Sequence, residues 1–184
     1  MATKTRYYVA ATLDGFIADP DGGLGWLMAF NDAEGVEADY QAFVGEVGAL
    51  AMGAATYEFV LGEGMAWPYE GRPTWVFTHR ALPAIPGADL RFTSAAGGAL
   101  DAVHDEMVRA ARGRDVWLVG GGKLAAQFAA RGLLDELQVS VVPVVLGAGV
   151  PLLPAALPGT LALTELKRFG RGLVQLRYAV PRAG

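Results

Sequence analysis

The sequence has no cysteine and only two histidines, His79 and His104. Without cysteine the chain can form neither disulfides nor thiolate metal sites. The two histidines stand in unrelated contexts, and neither has a second ligand at metal-binding spacing. We therefore expect no metal centre.

Basic charge and long apolar runs are also scarce. The chain has 15 lysines and arginines against 19 aspartates and glutamates, a net charge of −4, and it has no basic stripe. That balance disfavours nucleic acid as a partner. Hydrophobic residues make up 53% of the chain, but prolines and glycines interrupt the most apolar stretch, residues 139–157. A membrane helix needs about 20 consecutive apolar residues, so we expect no membrane association.

The length and the first residues narrow the remaining classes. At 184 residues the chain fits a single domain, 1–184, that can bury a substantial core. Its N-terminus lacks the charged region, apolar core and cleavage site of a secretory signal. We therefore expect a cytoplasmic protein whose partner is a small molecule.

What the sequence does contain is a strand, a glycine turn and a helix between Asp115 and Leu134. An apolar run of strand length is followed by Gly120, Gly121 and Gly122, and apolar residues at helical spacing come next. The first amides of a helix have no partner within it and carry the positive end of its dipole, and glycine lets an anion approach the backbone closely. The segment therefore predicts a phosphate-binding turn.

Other interpretations of this turn remain open. Gly120, Gly122 and Ala125 fit the dinucleotide-binding pattern G-x-G-x-x-G/A, but that pattern should follow the first strand of its domain, and this one lies about two thirds along the chain. A Walker A loop needs Ser or Thr after the lysine, where this chain has Leu124. A turn required only for backbone geometry would contain glycine as well.

Strand and helix patterns alternate along the chain. Strands are predicted at 5–12, 49–52, 73–78, 89–93, 116–119 and 135–145, with a terminal pair at 161–169 and 173–180. Helices are predicted from Asn31 or Asp32 to Val47, from Gly53 to Gly62 or Gly64, over 98–112 and after Gly120, with a lid-like loop at 13–30 and a connecting loop at 65–72. This alternation predicts an α/β fold: a mainly parallel central sheet with helices on both faces and a C-terminal antiparallel hairpin. The turns after Thr12, Met52, Thr78 and Val119 should then meet at the carboxyl edge of the sheet, where such folds bind ligands.

The order of motifs resembles the dihydrofolate reductase superfamily, in particular the group with the reductase domain of riboflavin biosynthesis. Four segments carry the resemblance: 11–18 (Ala-Thr-Leu-Asp-Gly-Phe-Ile-Ala), 52–58 (Met-Gly-Ala-Ala-Thr-Tyr-Glu), 76–80 (Val-Phe-Thr-His-Arg) and 119–122 (Val-Gly-Gly-Gly). A fifth, 134–153, is similar to the riboflavin-reductase group specifically. The resemblance implies a dihydrofolate-reductase-like three-layer fold and an NADPH-dependent oxidoreductase.

The resemblance also implies where NADPH binds. The residues expected at its pyrophosphate belong to two glycine-opened helices: Gly53, Thr56, Gly120, Gly121, Gly122 and Lys123. Those expected at its 2′-phosphate follow the third strand: Thr78, His79 and Arg80. The family often has arginine directly after the first of these glycines, where this chain has Ala54, so selection of NADPH over NADH rests on the second set.

The predicted catalytic residues are Asp14, Trp26 and Asp32. Asp14 would orient substrate or water, although an Asp-Gly pair is also a common turn. Trp26 would close over the nicotinamide or the substrate as part of the lid. Folate reductases hold the pterin with a carboxylate on the first helix, and Asp32 falls near that place, with Glu34 as the alternative.

Two functions follow from this resemblance. The first is an NADPH-dependent reductase that transfers hydride to the C=N or C=O carbon of a small heterocyclic or sugar-derived substrate. The named candidate is 5-amino-6-(5-phosphoribosylamino)uracil reductase in riboflavin biosynthesis, with dihydrofolate or another carbonyl or imine as the alternative. The second is a nucleotide-binding protein without turnover, because Ala54 and Tyr8 stand where the family has arginine and, in riboflavin reductases, lysine.

The C-terminal third predicts a homodimer. Residues 139–146 and 151–154 supply more apolar side chain than one further strand of a small sheet needs. A contiguous exposed apolar patch usually marks an interface, and twofold pairing is the commonest way to cover one. Burial of the valines under helices of the same chain is the alternative.

Overall fold

A computed structural model of the chain describes residues 2–62, 64, 66–157 and 159–181. Met65, the first residue of the predicted connecting loop, lies outside this range. The strands are β1 (Thr5–Thr12), β2 (Phe16–Ala18), β3 (Val47–Gly53), β4 (Thr74–Phe77), β5 (Leu90–Thr93), β6 (Asp115–Gly120), β7 (Glu136–Val142), β8 (Val150–Pro151), β9 (Ala162–Arg168) and β10 (Val174–Ala179). The helices are α1 (Gly25–Met28), α2 (Val36–Glu46), α3 (Ala54–Gly62), α4 (Ala99–Ala110) and α5 (Gly122–Ala130).

The centre of the molecule is an eight-stranded sheet in the order β5-β4-β3-β6-β1-β7-β10-β9. The first six of these strands pair in parallel, whereas β10 runs antiparallel to both β7 and β9. The predicted parallel sheet and terminal hairpin are therefore confirmed. Because the six strands share one direction, the turns that follow them meet at one edge, as the sequence predicts.

Helices cover both faces of this sheet. On one face, Phe43 of α2 and Tyr57 of α3 pack into a core with Trp117 of β6. On the other face, Leu100 of α4 and Phe128 of α5 pack into a second core. Two cores separated by one sheet make the predicted three-layer fold. Within the described residues, no helix is long and apolar enough to cross a membrane.

The predicted start of the first long helix is wrong. The helix begins at Val36, not at Asn31 or Asp32, because Gly35 has a φ of 86° and the preceding residues form turns. At its other end Val47 already belongs to β3, where it is fully buried.

The predicted lid loop at 13–30 also contains regular structure. Phe16–Ala18 pairs with Val150–Pro151 as a small second sheet, and Gly25–Met28 forms one helical turn. The β2–β8 pairing depends on a segment far away in sequence, so local patterns could not predict it.

Candidate active site

Two glycine turns touch at the carboxyl edge of the sheet. Gly53 ends β3 and Gly120 ends β6, and these strands are neighbours. A Cβ atom added to Gly120 would lie 2.6 Å from Thr56 Oγ1, and one added to Gly53 would lie 4.0 Å from the Gly120 carbonyl oxygen. The structure thus brings together three of the predicted cofactor residues, and glycine at 120 is needed for this contact.

The helix that follows the second turn starts without a side-chain cap among the described residues. Gly121 precedes α5 with a φ of 96°, a conformation that favours glycine. Glycine is required at position 122 for another reason, because an added Cβ atom there would lie 2.5 Å from the Leu152 carbonyl oxygen. Packing against the chain at 151–152 therefore explains Gly122, and uncapped amides remain at the start of α5.

A small pocket of about 210 Å³ lies beside these turns. Among the predicted cofactor residues it is lined by Gly53, Thr78, His79 and Lys123. Ser94 and Gln127 also line it, and sequence reasoning missed both. Neither residue belongs to a sequence motif. Ser94 follows β5 and Gln127 lies on α5, and only the order of the strands in the sheet brings these two elements to one pocket. The pocket presents two basic side chains beside hydroxyl and amide groups, a suitable set for a phosphate.

Arg80 does not line this pocket. Its guanidinium donates a 2.8 Å hydrogen bond to Glu58 of α3, and both side chains are exposed. The Thr78 hydroxyl accepts a 3.0 Å hydrogen bond from the Arg80 backbone amide. The turn is therefore ordered by its own residues, with Arg80 at its outer side.

A larger cleft of about 550 Å³ lies between the sheet and α2. Its walls are mainly apolar and include Ile17, Leu24, Leu27 and Phe30 from the 13–30 segment. Thr56 lines this cleft while also contacting Gly120. The cleft and the glycine turns therefore form one continuous region.

The polar end of this cleft is formed by four side chains, Tyr8, Asp39, Ser140 and Gln175. The Gln175 amide nitrogen donates to Asp39 Oδ2 at 2.9 Å and lies 3.3 Å from both the Tyr8 hydroxyl and Ser140 Oγ. Lys167 Nζ lies 2.6 Å from Asp39 Oδ1. Burial raises the pKa of Tyr8, and hydrogen bonds with Ser140 and Gln175 oppose that shift.

A buried relay fixes the direction of these hydrogen bonds. The Arg6 guanidinium can only donate, and it donates to Gln138 Oε1 at 2.9 Å. The Gln138 amide nitrogen must then donate to Gln175 Oε1, which lies 3.0 Å away. The Gln175 amide nitrogen is consequently the atom that faces Asp39 in the cleft. Because Arg6 itself is ion-paired with Glu46, Asp115 and Glu136, its position is also fixed.

Asp39, and not Asp32, is the carboxylate of the first long helix at the polar end of the cleft, and Glu37 of the same helix lines its exposed rim. Asp32 precedes the helix, is exposed and pairs with Arg171 at 3.1 Å. Sequence reasoning missed Asp39, although it lies three residues after Val36 and next to Tyr40, both of which line the cleft. That spacing places it on the inward face.

Asp14 and Trp26 lie outside the described lining of the cleft. The Asp14 carboxylate accepts hydrogen bonds from the Thr12 hydroxyl and from the Leu146 and Gly147 amides, which lower its pKa. These contacts favour an anchoring role for Asp14 over the catalytic role we expected. Trp26, itself part of the 13–30 segment, packs against the core cluster of Ala33, Val142 and Leu173, and its indole nitrogen is buried without a hydrogen-bond partner among the described residues.

Another cleft, of about 660 Å³, opens at the opposite edge of the sheet beside Gly48 and Arg112. None of the described residues predicted for the site lines it. Since parallel sheets bind ligands at the carboxyl ends of their strands, we place the candidate active site at the other edge.

Comparison with known proteins agrees with this architecture. The sequence model of the RibD C-terminal domain matches residues 65–175. The uncharacterized protein YwjB from Bacillus subtilis is 34% identical over 97% of this chain and 98% of its own length. The riboflavin biosynthesis protein RibD from Corynebacterium ammoniagenes is 31% identical over 83% of this chain, which spans only 46% of that longer protein.

Solved structures have the same fold. A candidate riboflavin biosynthesis protein from Shewanella sp. PV-4 aligns with a TM-score of 0.78 and 26% identity over 98% of this chain and all of its own. A diaminohydroxyphosphoribosylaminopyrimidine deaminase/5-amino-6-(5-phosphoribosylamino)uracil reductase from Thermotoga maritima aligns with a TM-score of 0.69 and 15% identity over 98% of this chain and 57% of its own. Schistosoma mansoni dihydrofolate reductase aligns with a TM-score of 0.63 and 16% identity over 98% and 100% of the two chains. The last two likenesses concern the fold alone. Together with the match over residues 65–175, these findings place the chain in the RibD C-terminal domain family, within the dihydrofolate-reductase-like fold.

Proposed function

We propose that this protein is an NADPH-dependent reductase of a small heterocyclic substrate. The observation that carries the proposal is the continuity between the touching glycine turns at Gly53 and Gly120 and the apolar cleft, through Thr56. An extended dinucleotide needs backbone amides for its phosphates and an enclosed cleft for its reactive ring. Both are present at one edge of the sheet.

The chain's own residues fit the cofactor at both ends. The uncapped start of α5 after Gly121 would hold the pyrophosphate, together with Thr56. The pocket that contains His79 and Lys123 would hold the 2′-phosphate. When bound, NADPH supplies the hydride, and the protein supplies position and exclusion of water.

The substrate side of the proposal rests on Tyr8 and Asp39. The Tyr8 hydroxyl is protonated near neutral pH, since burial raises its pKa above an ordinary value that is already 10.0, so it can donate a hydrogen bond to the substrate nitrogen or oxygen that gains charge during reduction. The Asp39 carboxylate can accept from a ring N–H. The relative from Thermotoga maritima is named for 5-amino-6-(5-phosphoribosylamino)uracil, which makes a pyrimidine one candidate and dihydrofolate or another imine or carbonyl the alternative.

Thermal unfolding with and without NADPH tests the cofactor assignment. A ligand that binds only the native state raises the melting temperature by mass action. We expect saturating NADPH to raise it and Gly121→Asp to abolish the increase, because a carboxylate would repel the pyrophosphate. Gly121→Asn is the matched control, since it imposes the same backbone strain without the charge. An unchanged melting temperature for the folded wild type would overturn the assignment.

Turnover needs its own measurement. Loss of absorbance at 340 nm with a panel of pyrimidine, pterin and quinone oxidants would demonstrate a reductase. NADPH binding without oxidation by any of them would instead favour a nucleotide-binding protein, the function motivated by Ala54 and Tyr8. A homodimeric assembly and a cytoplasmic location belong to the same proposal and remain predictions from the sequence.

A further inference from the structure

We infer that the cleft selects a planar heterocycle without a phosphate group. The ring edge that meets the polar end of the cleft is neutral or cationic. This inference rests on the proposed reductase function and narrows its substrate class. It departs from the phosphoribosyl substrate for which the Thermotoga maritima relative is named.

The first observation is the charge of the cleft. Two of its described lining residues are charged, Glu37 and Asp39, and both are acidic. Neither lysine nor arginine occurs among the lining residues that the structure describes. Binding sites for phosphate monoesters usually present arginine, lysine or several free amides. A cleft with two carboxylates and apolar walls repels a phosphate instead.

Two cations beside the cleft, Lys167 and Arg171, are already paired with carboxylates, and the Arg72 guanidinium donates to the Val44 and Val47 carbonyl oxygens. Lys167 Nζ lies 2.6 Å from Asp39 and 3.6 Å from Glu165. Arg171 lies 3.1 Å from Asp32, and its guanidinium also donates to the Ala29 carbonyl oxygen. A phosphate would have to take these cations from their carboxylates. Doing so would leave Asp39 as an unpaired charge in a largely buried position.

One further cation on β9 faces away from the cleft. Arg168 follows Lys167, and consecutive side chains of a strand point to opposite faces of the sheet. Because Lys167 reaches Asp39 on the α2 face, Arg168 projects from the other face. Tyr8, which stands in the cleft where riboflavin reductases commonly have lysine, provides no charge either.

The relay from Arg6 defines what the polar end of the cleft can recognise. The Gln175 amide nitrogen is already used toward Asp39, so Asp39 offers its remaining lone pairs as acceptors. The Tyr8 oxygen lies 3.3 Å from the same amide nitrogen, which leaves the Tyr8 proton available for a ligand. An acceptor beside a donor matches adjacent N–H and C=O or C=N groups on the edge of a planar ring.

A matched set of three ligands tests the inference. We would titrate NADP⁺-loaded protein calorimetrically with 5-amino-6-(5-phosphoribosylamino)uracil, with its phosphatase-treated ribosyl form, and with 5,6-diaminouracil. We expect the unphosphorylated compounds to bind at least about tenfold more tightly than the phosphate ester, a difference of about 1.4 kcal/mol. Equal or tighter binding of the phosphate ester would overturn the inference, and so would binding of none of the three.

Variants that add one cation sharpen the test. Tyr8→Lys should increase affinity for the phosphate ester by about tenfold, whereas Tyr8→Phe, which removes the hydroxyl without adding charge, should not. If Tyr8→Lys fails to fold, Glu37→Lys at the exposed rim serves the same purpose, with Glu37→Gln as its control. No gain of phosphate-ester affinity in a folded lysine variant would count against charge as the reason for exclusion.

The NADPH-dependent change in melting temperature separates failure of the inference from failure of the proposed function. If the protein binds NADPH and prefers the phosphate ester, the proposed function stands and only the inferred substrate class is wrong. If its melting temperature does not respond to NADPH, the proposed function is wrong, whichever ligand the protein binds.

Discussion

Asp39 of α2 and Gln175 of β10 are joined by a 2.9 Å hydrogen bond at the polar end of the cleft. Lys167 neutralises the same carboxylate. Asp39→Asn should lower the free energy of unfolding by about 1–3 kcal/mol, because charged hydrogen bonds are lost and Lys167 loses the nearer of its two carboxylate partners. Urea denaturation measures this cost. Glu37→Gln, an exposed change on the same helix, should cost less than about 0.5 kcal/mol. Equal costs for the two variants would contradict a specific role of Asp39.

The sequence predicts the sheet and its ligand-binding edge because alternation and glycine turns are local signals. It does not predict Asp39, since a carboxylate on a helix is usually solvated and only the fold brings β10 against that helix. It also places the helix start too early, at Asn31 or Asp32, because the turn at Gly170 that packs against Glu34 comes from far along the chain. Asp14 belongs to a correctly recognised motif, yet two of its three hydrogen-bond partners, the Leu146 and Gly147 amides, lie more than 130 residues away and favour an anchoring role.

Gly120→Ala should destabilise the folded protein by about 1–3 kcal/mol, since its new methyl group would lie 2.6 Å from Thr56 Oγ1. The double variant Gly120→Ala with Thr56→Ala should recover part of that loss, because the clashing atom is removed. Urea denaturation of both single variants and the double variant gives the coupling energy. Gly45→Ala is the control, because a Cβ atom added at Gly45 would have none of the surrounding atoms within 4 Å. Additive losses would show that the two turns do not touch in solution.

Arg80 should affect NADPH more than NADH. Arg80→Ala removes a cation next to the pocket that contains His79, so we expect it to weaken NADPH by about 1–3 kcal/mol and NADH less. Glu58→Gln should act in the opposite direction by freeing Arg80 from its present partner. Fluorescence titration of the wild type and both variants with NADPH and with NADH measures the dissociation constants. Parallel losses for NADPH and NADH in Arg80→Ala would exclude Arg80 from the 2′-phosphate site.

His104 should make stability depend on pH. Burial lowers the pKa of His104 below its ordinary value of 6.5, and nearby aspartates oppose that shift. The unfolded chain therefore binds a proton that the folded chain does not, so the contribution of His104 to stability is complete above pH 6.5 and is lost as the pH falls toward the lowered folded value.

Urea denaturation of the wild type and of His104→Gln between about pH 7 and pH 5 measures this contribution. We expect the variant to lose less stability on acidification than the wild type. His79→Gln is the control, because His79 is exposed. If His104→Gln and the wild type have the same pH dependence, His104 does not supply it.

The structure divides the apolar segment 139–146 on which the sequence places the homodimer, because only part of it is exposed. Val139 and Val142 are buried within the chain, so the alternative of internal burial holds for them. Leu13 and Val145, by contrast, are 65% and 67% exposed. They are close together, since the Leu13 amide donates a 2.9 Å hydrogen bond to the Val144 carbonyl oxygen.

We predict that this pair lies at a twofold contact with a second copy, because twofold pairing is the commonest way to cover an apolar patch. Light scattering at micromolar concentration should give twice the single-chain mass of 19.3 kDa. Leu13→Asp and Val145→Asp should each reduce that mass without unfolding the chain, because neither side chain belongs to a core. Leu166→Asp, on the edge strand β9 and 53% exposed, should leave it unchanged. A wild-type mass near 19.3 kDa would rule out the dimer, whereas dissociation by Leu166→Asp alone would place the contact on β9.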